Sequence, residues 1–419
     1  MSAPGLLSGQ RDDWPSVRCR EVSLSKIAAG ATPSATLTLD AKAKQLVRQG
    51  APVVLFTVGE PDFDTPDNIK QAAHRAIQGG FTKYTAAGGM PELRRAIAEK
   101  LKEDNGLDYA ADEVLVSNGG KQAIFMIMLC LVQEGDEVLL PSPYWVSYAD
   151  QARICGAEPT AIDTTETADF KLTPEALEKA IAERSKVLVL NTPCNPTGVV
   201  LTRDERAPLV EVALAHDLWI LSDEIYEKII YDGLKHVSAG SLSDEARQRV
   251  ITINGFSKTY AMTGWRVGYA AGPREVIQAA VNIQSNTTSA PNSIAQKAAL
   301  EALTGPQDSV GEMREAFDRR RRLLVEGLNA IPGISCLMPQ GAFYAFADCR
   351  GLLGRSYRGK CVETSHDLCA ALLDQVQVAV IEGSAFGAEG YVRFSYATST
   401  EVIAAGLERL RQFVAGRDS

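Results

Sequence analysis

Between residues 65 and 304 the hydrophobic pattern keeps switching period. Strand-like runs occur at 114–116, 137–140, 158–162, 187–190, 218–221 and 250–253, and those at 114–116, 187–190, 218–221 and 250–253 are apolar or β-branched throughout. Such runs are the mark of strands buried on both faces. Between them, 120–131, 146–155, 174–183 (with Thr173 as cap) and 204–216 carry helical spacing. Strands separated by helices in this rhythm predict an α/β fold, a mostly parallel sheet covered by helices on both faces. Upstream, 39–49 reads as a helix closed by Gly50 and 53–57 as a strand; 58–66 is a turn-rich loop. Residues 68–78 and 91–104 then read as helices closing at glycines. Past Thr304-Gly305-Pro306 the texture changes. A long Arg-rich helix (311–330) precedes a strand at 342–347, a Gly/Arg loop at 351–360, a helix at 365–373, strands at 376–381 and 391–396, and a helix at 400–414.

The pattern divides the chain into a disordered extension (1–22), a segment joining a smaller domain (23–64), a large ligand-binding domain (65–304) and a small α+β C-terminal domain (305–419). Nothing in the first 20 residues resembles a secretion signal. The most apolar uncharged run, 123–133, is too short to span a bilayer. The 43 basic and 52 acidic residues give a net charge of −9, which argues against nucleic acid or an anionic membrane as partner. The densest basic run, Arg319 to Arg322, sits in an amphipathic helical pattern and reads as a solvated face. Eight cysteines without a Cys-x-x-Cys pair read as reduced core thiols of a cytoplasmic protein. Four scattered histidines argue against a metal centre.

Chemistry-bearing residues gather at the predicted strand ends, where open α/β sheets bind ligands. After 250–253 comes Asn254-Gly255-Phe256-Ser257-Lys258, then Thr263-Gly264-Trp265-Arg266-Val267-Gly268. A lysine amine that burial has deprived of its proton can attack an aldehyde. An arginine fork fits a phosphate, so the pair suits pyridoxal phosphate, although a solvated lysine and a packed arginine fit as well. After 114–116, Ser117-Asn118-Gly119-Gly120-Lys121-Gln122 opens a helix whose free N–H groups could hold a phosphate; a plain helix start is the alternative. Asn191 to Gly198 follows 187–190 and is at least a turn. Ser222-Asp223-Glu224-Ile225-Tyr226 follows 218–221, and a carboxylate buried there needs a cationic or donor partner, or caps the next segment.

Taken in order, these segments resemble the class I and II aminotransferases, the fold type I pyridoxal-phosphate enzymes, and most closely their bacterial aspartate aminotransferase branch. The resemblance runs over 24–413. It is carried by Val58-Gly59-Glu60-Pro61-Asp62-Phe63, Lys83-Tyr84, Gly119 to Gln122, Pro141-Ser142-Pro143-Tyr144-Trp145, Asn195-Pro196-Thr197-Gly198, Asp223 to Tyr226, Ser257-Lys258 to Arg266, and Arg393-Phe394-Ser395-Tyr396-Ala397-Thr398. It implies a seven-stranded-type sheet in the large domain. It also implies a homodimer with shared active sites and an aminotransferase moving the amino group of L-aspartate to 2-oxoglutarate by a ping-pong cycle.

Residue by residue, the resemblance implies that Lys258 holds pyridoxal 5'-phosphate and then moves the substrate proton. Asp223 pairs with the ring nitrogen; Asn195 and Tyr226 donate to the phenolic oxygen; Trp145 stacks on the ring. Arg266 and the Gly120 region hold the phosphate, with Tyr84 reaching in from the other subunit. Arg393 clamps the substrate α-carboxylate near the Gly59 backbone, and Lys121 is the candidate for a second carboxylate. The chain departs from relatives in having Gly255 where many carry a hydroxyl, which would remove one phosphate contact. It also has Thr32, not a basic residue, before Pro33-Ser34-Ala35-Thr36, which argues against prephenate as a substrate. Rival readings are an aminotransferase for aromatic or other amino acids, a pyridoxal-phosphate β-lyase, and the effector domain of a transcription regulator, for which the segment before Glu21 is too short to supply a DNA-binding domain.

Overall fold

The computed structural model describes Leu24, Ser25, Ile27, Ala28 and residues 35–418. The expected N-terminal extension and Thr32 lie outside the described residues. The first four described residues belong to a separate unit, in which the Ala28 amide donates to Ser25 Oγ.

From 35 onward the chain opens with helix α1 (Ala35–Arg48) and strand β1 (Val54–Leu55). It continues with α2 (Asp67–Gln78), α3 (Pro91–Asn105), β2 (Val114–Ser117), α4 (Gly120–Leu131), β3 (Glu137–Ser142), α5 (Ser147–Ile154) and β4 (Glu158–Asp163). Next come α6 (Pro174–Ala180), β5 (Ser185–Asn191), α7 (Arg203–Ala215), β6 (Trp219–Asp223), α8 (Asp244–Arg249), β7 (Val250–Gly255) and β8 (Gly268–Ala271). The seven strands β2 to β8 form one sheet in the order β2-β8-β7-β6-β5-β3-β4. Every neighbouring pair is parallel except the two that involve β8. Leu115, Val138, Val189, Leu221 and Ile253 pack into one core with α4. Leu139, Leu188, Leu190, Ile220 and Val250 pack into another on the opposite side with α7. Both faces are thus covered, as the uninterrupted apolar runs require.

The C-terminal part contains α9 (Arg274–Thr287), α10 (Ser293–Thr304), α11 (Asp308–Asn329), β9 (Ser335–Cys336), β10 (Tyr344–Asp348), β11 (Arg355–Tyr357) and β12 (Lys360–Val362). It ends with α12 (Ser365–Val376), β13 (Val378–Ala379), β14 (Ile381–Glu382), β15 (Tyr391–Ser395) and α13 (Thr400–Ala415). A four-stranded antiparallel sheet has the order β14-β15-β10-β9. Strand β1 pairs in parallel with β13 instead, tying the start of this unit to its C-terminal part. Phe317, Leu324, Phe343, Phe394, Leu407 and Phe413 anchor the core there, and Tyr226 and Ile229 from the segment after β6 join it.

Four features depart from the sequence reading. Strand β8, with Gly-Tyr-Ala-Ala, has too few branched residues to announce itself. Its small residues are a packing requirement, because a Cβ on Gly268 would lie 2.3 Å from the Gly120 nitrogen. The predicted 351–360 loop is largely a hairpin, β11 with β12, turning at Arg358 and Gly359, both at positive φ. The single strand expected at 376–381 is two short strands in different sheets. And the arginine run is not a solvated face throughout. Arg321 is 0% exposed, bound to both Asp232 oxygens at 2.8 and 2.9 Å and to the Pro339 carbonyl at 2.7 Å. Its guanidinium lies 4.4 Å above the Tyr231 ring. A helical stripe marks which residues share a face but not what the fold brings against it.

Candidate active site

Strands β5, β6 and β7 end side by side, and the loops that follow them line a cleft of about 360 Å³. In register, Asn191 of β5 lies opposite Asp223 of β6, which lies opposite Ile253 of β7. Parallel pairing therefore delivers the Asn195 loop, the Asp223 carboxylate and Lys258 to the same end of the sheet. Gly59, Gly120, Lys121, Trp145, Asn195, Asp223, Tyr226, Lys258, Arg266 and Arg393 all line this cleft. Tyr84 does not: its side chain is 96% exposed.

Lys258 sits three residues past β7, and its ammonium donates to the Gly59 carbonyl. Burial pulls its pKa down to about 8, with the Arg266 and Arg393 charges acting the same way and Glu60 opposing them. A substantial fraction of this amine is therefore neutral near pH 8, the form a nucleophile needs.

Asp223 ends β6 and is buried. Its Oδ2 accepts a hydrogen bond from the Tyr148 hydroxyl at 2.6 Å and its Oδ1 accepts one from the Ile225 amide at 3.2 Å. The carboxyl both caps the turn and faces the cleft, so the two sequence readings hold together. Burial pushes its pKa up to about 6, against the pull of the Tyr148 and Ile225 bonds. An acid held this way gains from any cation delivered to it.

The Asn195 amide donates to Asn191 Oδ1 at 2.8 Å, and Asn191 Nδ2 donates to the Asp223 carbonyl at 3.0 Å. The Asn195 loop is thus fastened to the neighbouring strand end. Asn195 Oδ1 accepts from Arg393 Nη1 at 2.9 Å, and Arg393 Nη2 donates to the Thr57 carbonyl at 3.1 Å. Arg393 comes from β15 in the other sheet, and its guanidinium lies 4.4 Å from the Tyr344 ring centre. Trp145 meets Tyr148 edge-on at 5.3 Å, with the Lys121 ammonium 4.8 Å from its ring centre. Burial lowers the Lys121 pKa, and the Arg266 charge adds to that.

At the other end of the cleft, α4 begins at Gly120 and presents the free amides of a helix N-terminus. Arg266, held at φ +56, folds over it and donates to the Asn118 carbonyl at 3.3 Å and the Thr263 carbonyl at 2.9 Å. Gly119 stands at φ +85, a conformation that favours glycine, and a Cβ there would also lie 2.5 Å from Arg266 Nη2. Gly255 has an equally local reason. A Cβ there would lie 3.0 Å from Gly268 Cα and 3.2 Å from the Val267 carbonyl, so a hydroxyl residue would press β7 away from β8. The fit to a pyridoxal phosphate is good: amides and an arginine for the phosphate, a buried acid for the ring nitrogen, and an amine of lowered pKa for the aldehyde.

The sequence reading missed Tyr148, Tyr344 and Asn191, which hold Asp223, Tyr226 and Asn195 respectively. Tyr148 lies in the first turn of α5, just past the loop that carries Trp145, and its ring meets that of Trp145 edge-on. Tyr344 sits in an apolar run, Phe343-Tyr344-Ala345-Phe346, and carries no local signal. Among the described residues, Glu224, Glu227 and His236 lie close enough to share an ion. Arg206 and Lys100 already pair with Glu224 and Glu227, which makes the group a buried charge network behind β6.

Comparison with known proteins gives the same picture. The family model described as aminotransferase class I and II matches residues 51–410. A crystal structure of the aspartate aminotransferase from Rhizobium meliloti is 46% identical, with a TM-score of 0.92, over 95% of this chain and 100% of that one. An aspartate aminotransferase from Thermus thermophilus with maleate is 43% identical, with a TM-score of 0.89, over 94% of this chain and all of that one. An aspartate/prephenate aminotransferase from Cereibacter sphaeroides is 47% identical over 395 residues, 94% of this chain and 99% of its own.

Proposed function

We propose that this chain, which belongs to the class I and II aminotransferases, transfers the amino group of L-aspartate to 2-oxoglutarate, yielding oxaloacetate and L-glutamate, with pyridoxal phosphate as cofactor. The observation that carries the reading is the convergence in one cleft of an amine of lowered pKa (Lys258), a buried acid (Asp223) and a buried arginine (Arg393). When bound, the cofactor supplies an electron-accepting ring and an aldehyde that exchanges amino groups. The chain's own residues do the rest.

Lys258 would hold the cofactor through its aldehyde, and its amine would serve as the base and acid that moves the proton of the substrate Cα. Its lowered pKa suits a base that must give and take a proton near neutral pH. Asp223 keeps the ring nitrogen protonated, and Tyr148 holds that carboxylate in place. The amides at Gly120, with Arg266 and possession of a helix N-terminus, bind the phosphate. Arg393 clamps the α-carboxylate with the two nitrogens of its fork, and Asn195 fixes the fork's direction. Lys121, beside Trp145, is positioned for the second carboxylate of a dicarboxylic substrate. Its support outside the chain is the Thermus thermophilus relative with maleate, a dicarboxylate. We assign the exposed Tyr84 to the partner's phosphate site in a homodimer with shared active sites.

Specificity is tested by kcat/KM for aspartate against alanine, phenylalanine and a branched-chain amino acid. A preference for aspartate of at least tenfold is expected. A flat or aromatic-preferring profile overturns the aspartate assignment, and Lys121→Ala should erase the aspartate preference without a comparable loss on alanine.

A further inference from the structure

Tyr344, the first residue of β10, lines the cleft behind Tyr226. It is buried, and its hydroxyl lies 2.9 Å from the hydroxyl of Tyr226. The two rings meet edge-on, 5.8 Å apart at 84°. Arg393 lies over the Tyr344 ring, and Phe343 packs beside it with ring centres 4.8 Å apart. On the remaining side is Gly59, where an added Cβ would lie 3.5 Å from the Tyr344 hydroxyl. The side chain is thus held on several sides, and its hydroxyl meets that of Tyr226.

Two hydroxyls at this distance make one hydrogen bond, to which either can give its proton, and both stay protonated because burial raises both pKa values. Only one direction of the shared bond is compatible with an anionic oxygen in the cleft. If Tyr226 donated to Tyr344, its lone pairs would face that oxygen and repel it. If Tyr344 donates, the Tyr226 proton is free to point into the cleft. Its oxygen, already accepting one hydrogen bond, becomes a stronger donor through polarisation along the chain.

We infer that Tyr344 is a positioning residue: its hydroxyl donates to Tyr226 and so aims the Tyr226 proton at the phenolic oxygen of the bound cofactor, while its ring supports the carboxylate-clamping Arg393. This rests on the proposed cofactor reading. A hydrogen bond to an anionic oxygen favours the deprotonated form of the lysine-bound cofactor, so the Tyr344 hydroxyl lowers the pH at which that cofactor gains its proton.

The test is a spectroscopic pH titration of the holoenzyme, following the visible absorption of the lysine-bound cofactor, in wild type, Tyr344→Phe, Tyr226→Phe and the double variant. Tyr344→Phe keeps the ring under Arg393 and removes only the hydroxyl. The expected result is a transition raised by about 0.3–0.6 pH unit, since the strengthening of one charge-assisted bond is a fraction of its worth, with KM for the amino acid unchanged. Tyr226→Phe should raise it further, and the double variant should match Tyr226→Phe alone, because Tyr344 acts through Tyr226. Tyr344→Leu, also without the hydroxyl, should give the same spectral rise and in addition a raised KM from the lost ring. An unmoved transition in both Tyr344 variants, or a Tyr344→Phe shift that persists in full when Tyr226 is Phe, overturns the inference. A wild-type protein with no visible band attached to Lys258 overturns the cofactor reading itself, a separate result from a band that is present and unmoved.

Discussion

Asp223→Asn should make the cofactor-free protein more stable while removing its activity. Burial raises the pKa of this carboxyl from the ordinary aspartate value, about 3.8, to about 6. The folded state therefore resists ionising a group that the unfolded chain ionises readily. The sign follows: the unfolded state is favoured as pH rises through the interval between the two values, so this carboxyl is a cost above it and neutral below it. A shift of about two units at about 1.4 kcal/mol each gives a cost of about 3 kcal/mol at pH 8, falling to roughly half of that at pH 5. Asparagine has nearly the same shape and cannot ionise; with its one amide oxygen accepting from Tyr148, its NH2 faces the Ile225 amide, a pH-independent cost of about 1–2 kcal/mol that is smaller than the gain at pH 8. Denaturant unfolding of the cofactor-free wild type and Asp223→Asn at pH 5, 6, 7 and 8 checks this. The variant should gain on the wild type by about 1 kcal/mol between pH 5 and pH 8, nearly all of it before pH 7. A variant less stable than wild type at pH 8, or a difference that does not change with pH, would refute the claim that the acid is held under strain for a cationic ligand. Adding the cofactor should reverse the order, since only the carboxylate can pair with the ring nitrogen.

Lys258→Ala should abolish transamination and the visible band of the bound cofactor together; either one surviving alone contradicts a single lysine serving both tasks. Arg393→Lys keeps the charge and loses the fork, so KM for the amino acid should rise about tenfold to a hundredfold, as loss of one charge-assisted hydrogen bond implies, with the cofactor spectrum unchanged in steady-state assays. Arg321→Leu removes the buried partner of Asp232, Asp318 and the Pro339 carbonyl. It should cost about 2–4 kcal/mol, less than for a fully buried pair because Asp232 reaches solvent. Unfolding at pH 7 checks that value, and an unchanged midpoint would show the pair to be neutral.

Much of the site was legible because strand ends are marked locally. Lys258, Asp223 and Asn195 each follow an apolar run and a turn, and parallel pairing requires such ends to gather on one side of the sheet. What supports those residues was harder to see. Tyr148 offered a weak clue in its nearness in sequence to Trp145, and Tyr344 none, since a tyrosine in an apolar strand looks the same whether its hydroxyl meets water or another hydroxyl. The Arg358-Gly359 hairpin escaped notice because arginine is an unexpected residue at positive φ.

The amino-acid order by itself determined the alternation of strands and helices and the set of reactive groups at the strand ends, because these depend on neighbours a few residues away. Only the tertiary structure decided which charges are buried. Arg321 inside its helix stripe, Asp223 against Tyr148 and Arg393 above Tyr344 acquire their character from partners tens to hundreds of residues distant. Desolvation and pairing energies depend on distance in space, and sequence separation does not encode it.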